Sequence, residues 1–95
     1  MLFAIMCLDA PDAQGKRAAA RDAHRAHLAA PSVELKLAGP LVGDDGKTSV
    51  GSLFIVEAPN RAAAESFNRA DPFHSTGVWA WTEIHGFVDT TPGKS

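Results

Sequence analysis

Residues Val33–Glu57 read VELKLAGPLVGDDGKTSVGSLFIVE, and this stretch decides how the chain folds. Val33-Glu34-Leu35-Lys36-Leu37 alternates apolar and charged side chains, the period-two signature of a strand with one wetter face. Ala38-Gly39-Pro40 predicts its end. Gly43-Asp44-Asp45-Gly46-Lys47 predicts a turn, because Asp-Gly between apolar runs is a strong hairpin signal. Ser52-Leu53-Phe54-Ile55-Val56-Glu57 is then the returning strand. Two strands joined this tightly lie antiparallel, so the fold depends on what flanks the pair.

On the N-terminal side, Leu2–Leu8 is a continuous apolar run stopped by Asp9-Ala10-Pro11-Asp12, which predicts a strand buried on both faces. Ala13–Ala30 is rich in alanine and arginine, with no glycine after position 15, and predicts a helix ended by Pro31. On the C-terminal side, Asn60 can cap a second helix, Arg61–Ala70, with Ala63, Phe67 and Ala70 on its inner face. Val78–Val88 is the last strand. The order is β-α-β-β-α-β, an α+β, ferredoxin-like pattern with an antiparallel sheet and both helices on one face. Residues 1–89 form a single domain on this reading, with Thr90–Ser95 a flexible tail.

If both helices cover one face of the sheet, the other face should be polar, yet the first strand is apolar on both. In the last strand, strict alternation puts Trp79, Trp81 and Phe87 on one face with Glu83 and His85, opposite Val78, Ala80 and Ile84. A large apolar second face on a small domain implies a partner. We therefore expect a homodimer through the sheet face that carries Trp79, Trp81 and Phe87. Helix one, being alanine-rich, can approach the sheet closely and leaves little room for two tryptophans beneath it.

Composition excludes several classes. Eleven acidic against nine basic residues, with no basic stripe interleaved with aromatics, argue against a nucleic-acid partner. One cysteine, Cys7, forms no internal disulfide and leaves no cysteine pair for zinc. The apolar opening run is too short to span a bilayer and lacks the flanks of a signal peptide. The expectation is a soluble, cytoplasmic protein without a membrane partner.

Helix one brings Arg17, Arg21 and His24 together, since residues three and four apart share a helical face. His24 falls at the edge of the alanine-rich face, near Ala20 and Leu28. Imidazole changes charge between pH 5 and 8, which suits it to proton transfer, although a half-exposed helix histidine with no role has the same pattern. Asp71, in Ala70-Asp71-Pro72-Phe73-His74, has two readings as well. A residue before proline leaves helical geometry, so Asp71 ends the second helix and can cap a following turn with Pro72 at its first position. Capping alone accounts for Asp-Pro.

Other constellations are weaker. His24 and His27 have a metal-compatible spacing, but nothing brings His74 or His85 to them, so no metal is expected. Asp44-Asp45-Gly46 lacks the ligand spacing of a calcium loop and is a turn. Cys7, in an apolar strand without a basic neighbour, is packing rather than nucleophile. No phosphate-binding glycine loop and no nucleophile elbow are present.

Taken in order, MLFAIMCLDAPD, RAAARDAH, LAGPL, VGSLFIVEA and ADPFHSTGVWAWTEIHGF resemble the YciI-like (YCII-related) proteins, from Met1 to about Phe87. The resemblance implies a ferredoxin-like dimeric α/β barrel. It also implies a catalytic pair, His24 from an Arg-x-x-His helix motif and Asp71 from an Asp-Pro-Phe motif. Arg17 and Arg21, from the same helix, and Ser52, from a Gly-Ser pair opening the third strand, would bind substrate. One member of the family is regarded as a dehydrochlorinase of chlorinated aromatics, and the wider barrel superfamily includes muconolactone isomerase. The implied activity is proton transfer with elimination or isomerisation on a small oxygenated, aromatic-derived molecule, without a cofactor. The alternative is a non-catalytic, small-molecule-binding or accessory dimer.

Overall fold

The structure is a computed structural model that describes residues 1–93. Strands β1 (Leu2–Asp9), β2 (Glu34–Val42), β3 (Ser49–Glu57) and β4 (Trp79–Phe87) alternate with helices α1 (Ala13–Ala29), α2 (Arg61–Arg69) and the single turn α3 (Pro72–Ser75). The sheet is fully antiparallel in the order β2-β3-β1-β4, the split βαβ arrangement expected from the sequence. Residues 94 and 95 of the expected tail lie outside the described residues.

One face of the sheet carries the core. Phe3, Ile5 and Cys7 of β1 and Phe54 and Val56 of β3 are buried with Ala13 and Ala20 of α1, Ala64 and Phe67 of α2, Phe73 of α3, and Val78, Trp79 and Ile84. Each large apolar side chain in this set contributes about 1.5–3 kcal/mol by leaving water.

The hairpin closes as its residues dictate. Gly46 takes a positive φ of 70°, which a β-carbon would disfavour. The Asp45 carboxylate accepts from the backbone N–H of Lys47 and Thr48 and from the Thr48 hydroxyl. Asn60 caps α2 by accepting from Ala63 N at 2.9 Å, as expected.

Four expectations are corrected. Within the single chain, strand β1 is buried on one face only: Phe3, Ile5 and Cys7 are enclosed, whereas Met6 and Leu8 are exposed. Strand β2 does not stop at Ala38 but runs through Gly39-Pro40 to Val42, because it is an edge strand, where a missing N–H is tolerated. The buried face of α2 is Ala64, Phe67 and Asn68 rather than Ala63, Phe67 and Ala70.

The fourth correction concerns the tryptophans. Leu8 pairs with Trp81 but Asp9 with Trp79, so Ala80 is an extra residue in β4. A bulge of one residue resets the alternation of side chains. Trp79 therefore turns into the core, 8% exposed, beside Phe54 and Phe73 at 5.9 Å between ring centroids. Trp81, at 42%, and Phe87, at 41%, remain on the opposite, open face. The three aromatics do not share a face.

Candidate active site

Helix α1 lays one stripe of side chains along the mouth of the core. Gln14, Arg17, Arg21, His24, Arg25 and Leu28 wall one side of a cleft of about 310 Å³, faced by Ala38–Pro40 of β2, by Ser52 and Phe54 of β3, and by Phe73. The 3.6-residue repeat alone puts these residues on one helical stripe.

His24 and Asp71, 47 positions apart, meet there. The His24 Nδ1 lies 2.8 Å from both oxygens of the Asp71 carboxylate. Asp71 is 1% exposed, and its Oδ1 also accepts the Phe73 backbone N–H at 2.9 Å. One carboxylate thus caps α3, as expected from Asp-Pro, and also holds the imidazole. Pro72 at the first position of α3 makes this possible: it pushes Asp71 into extended geometry, φ −69° and ψ 130°, from which the carboxylate can reach α1. Phe73 then stacks on the imidazole, centroids 3.8 Å apart and planes 3° from parallel. An ionised Asp71 can only accept, so Nδ1 donates to it, and in the neutral ring the lone pair is then on Nε2. Among the described residues Nε2 has no protein partner.

Arg17 is held differently. Its Nε and Nη2 make a two-pronged pair with Asp9, at 2.7 and 2.9 Å, and Nη2 also reaches Gly51 O at 2.7 Å and Ser52 Oγ at 3.1 Å. The guanidinium lies over the Phe73 ring, 5.0 Å from its centroid. Ser52, 3% exposed, also receives the Trp79 indole N–H at 3.2 Å. Gly51 is what lets the strands come this close, since a β-carbon there would meet Cys7 O at 2.3 Å. Arg21 lines the cleft, is exposed, and makes no ion pair among the described residues.

Sequence reasoning missed Asp9, treated there as the stop of the first strand, and Phe73. The signal for Asp9 was its parity with Phe3, Ile5 and Cys7, which points it inward. Cys7 does not join the site. Burial pushes its thiol up from the ordinary value, against donors from Thr82 and Asn68, and so keeps it neutral. No three His, Cys, Asp or Glu residues among the described ones cluster as metal ligands.

A model of the YCII-related domain matches residues 1–88. The chain belongs to that family. Among solved structures it is similar to 5-chloro-2-hydroxyhydroquinone dehydrochlorinase (TftG) from Burkholderia phenoliruptrix AC1100, in complex with 2,5-dihydroxybenzoquinone. The two share 32% identity and a TM-score of 0.83, over 93% of this chain and 94% of that one. The YciI-like assignment and the ferredoxin-like fold expected from the sequence are thereby established. No curated protein matches the chain significantly. No helix among the described residues is long and apolar enough to cross a membrane.

Proposed function

We propose that this YCII-related protein is an enzyme that moves a proton on a small, oxygenated, ring-derived molecule, with elimination or isomerisation as the outcome. The observation that carries the reading is the His24 ring, fixed through Nδ1 by Asp71 and presenting an unpartnered Nε2 on a cleft wall. Nε2 takes a proton from the substrate, and Asp71 offsets the charge that develops on the imidazole. In an elimination the released electron pair forms a double bond as the leaving group departs as an anion; in an isomerisation the proton returns at another atom. Arg21 balances negative charge on substrate oxygen, and Ser52 contacts it. Arg17 acts through the frame it builds, because its guanidinium is already engaged by Asp9.

The similarity to a dehydrochlorinase supports elimination on a hydroxylated ring, where loss of one proton and one chloride is a complete step that requires no oxidant. The test is turnover of chlorinated hydroxyhydroquinones and of small lactones by wild type and by His24→Ala. Turnover that falls about 10²–10⁴-fold in a folded His24→Ala protein is the expected result. Binding with no turnover at all would instead make the protein a ligand-binding module.

The working unit is a homodimer, closed sheet to sheet in the cytoplasm. The open face presents Met6, Leu8, Leu37, Trp81 and Phe87, each between 38% and 66% exposed, around Leu53 and Ile55. Strands of about 27 Å, four abreast at about 4.8 Å, give a face near 500 Å² and so about 1,000 Å² per pair, the lower bound for a specific interface. A second copy supplies an equally flat, equally apolar face. Sedimentation decides: wild type should run as a dimer and Trp81→Glu as a monomer. A monomeric wild type, or a fully dimeric mutant, defeats the assignment.

A further inference from the structure

The direction of one hydrogen bond in the cleft is fixed by its neighbours. The Ser52 oxygen faces Trp79 Nε1 at 3.2 Å and Arg17 Nη2 at 3.1 Å. An indole N–H and a guanidinium N–H can only donate. The two hydrogens of Nη2 are shared among Asp9 Oδ1, Gly51 O and Ser52 Oγ, and the serine contact is the longest of the three. Even a shared hydrogen occupies that side of the oxygen. With Cβ and two donors at three corners, the hydroxyl proton takes the fourth, and no described residue accepts it. Ser52 is 3% exposed, so a water or a ligand atom can meet it only where it borders the cleft. Its surroundings leave the cleft, which it lines, as the place where that proton finds an acceptor.

We propose that Ser52 is a donor-only contact that selects an unprotonated ligand oxygen, an enolate or phenolate, opposite the base His24. The inference rests on the cleft being the active site and adds the class of group it recognises. Proton abstraction beside a hydroxyl or carbonyl places negative charge on oxygen. A hydroxyl polarised by a guanidinium and an indole N–H is a stronger donor to that charge than serine in water. A ligand hydroxyl can still accept here through a lone pair, but it is the weaker acceptor and must find another partner for its own proton.

Two probes separate the possibilities: 2,5-dihydroxybenzoquinone, which ionises readily to charge-sharing oxygens, and hydroquinone, which stays protonated at neutral pH. Wild type should prefer the first and hold it with the absorption spectrum of its ionised form. Ser52→Ala should weaken that binding about tenfold to a hundredfold, the range for a hydrogen bond to a charged group, and weaken hydroquinone only about threefold, as for a neutral one. Equal loss for both probes, or no loss, overturns the proposal while leaving the enzyme reading intact. Should Ser52→Ala not fold, Trp79→Phe frees one lone pair of the serine and should narrow the preference several-fold; an unchanged ratio overturns the proposal. A wild type that binds neither probe overturns this inference, and the enzyme reading then stands or falls on its own turnover test.

Discussion

Helix α1 carries two basic side chains seven residues apart, and each is met by a buried carboxylate from elsewhere in the chain. Arg17 meets Asp9 at the end of β1, and His24 meets Asp71 at the start of α3. The pairs look alike in kind and differ in what they leave over. Arg17 carries a permanent charge, and its Nε and Nη2 serve four oxygens on Asp9, Gly51 and Ser52. His24 spends one nitrogen on its acid and keeps the other. The first pair is closed and holds the strands and serine in place. The second is open and leaves Nε2 without a partner among the described residues. One ring, that of Phe73, touches both: it stacks on His24 and lies beneath the Arg17 guanidinium.

The sharpest way to break the open pair is Asp71→Asn. The amide oxygen can still cap α3 by accepting from Phe73 N, so the fold should survive. The amide N–H₂ then faces Nδ1 and favours the tautomer whose proton is on Nε2, which removes the base. Turnover should fall about 10²–10⁴-fold with little change in melting temperature. A normal rate would show that Asp71 does no more than cap.

Breaking the closed pair should act on stability first. Arg17→Met leaves the Asp9 carboxylate, its side chain 7% exposed, without its partner. Stranding one member of a buried pair costs about 3–5 kcal/mol, and chemical denaturation should read a loss of that order. The double variant Asp9→Leu/Arg17→Met should recover most of it, because no charge is then left buried. If Arg17→Met is as stable as wild type and loses only substrate affinity, the guanidinium belongs to the substrate and the contrast between the pairs disappears.

The smallest effect lies at the hairpin, remote from both pairs. The Thr48 hydroxyl, with backbone N–H groups of Lys47 and Thr48, lowers the Asp45 carboxyl from 3.8 to about 2. A lowered folded value means that the turn is stabilised above pH 4, and that this contribution is lost as pH falls from about 4 toward 2. Amide exchange at Lys47 and Thr48 should quicken across that window in wild type, and Asp45→Asn should flatten the dependence.

Much of this was legible without coordinates. The alternating run after Pro31, the Asp-Gly turn and the apolar return strand require an antiparallel hairpin between two helices, because period and turn chemistry are local properties. The stripe Arg17-Arg21-His24 follows from the helical repeat in the same way, and Asp71 as a cap from the proline behind it. Local rules failed where one residue broke a period. The Ala80 bulge depends on pairing between β1 and β4, which are far apart in sequence, and it decided that Trp79 would hold Ser52 while Trp81 faces outward. The Pro40 strand failed the same way, since being an edge is a property of the whole sheet.

Sequence by itself determined the element order, the face of α1 and the residue types available for proton chemistry, all set by spacings within a turn or a strand. Only the tertiary structure decided which acid meets which base. Asp9 reaches Arg17 across a strand end and Asp71 reaches His24 across 47 positions. Such contacts form when the core brings distant segments together, and their free energy depends on burial and on exact partners, neither of which a local pattern encodes.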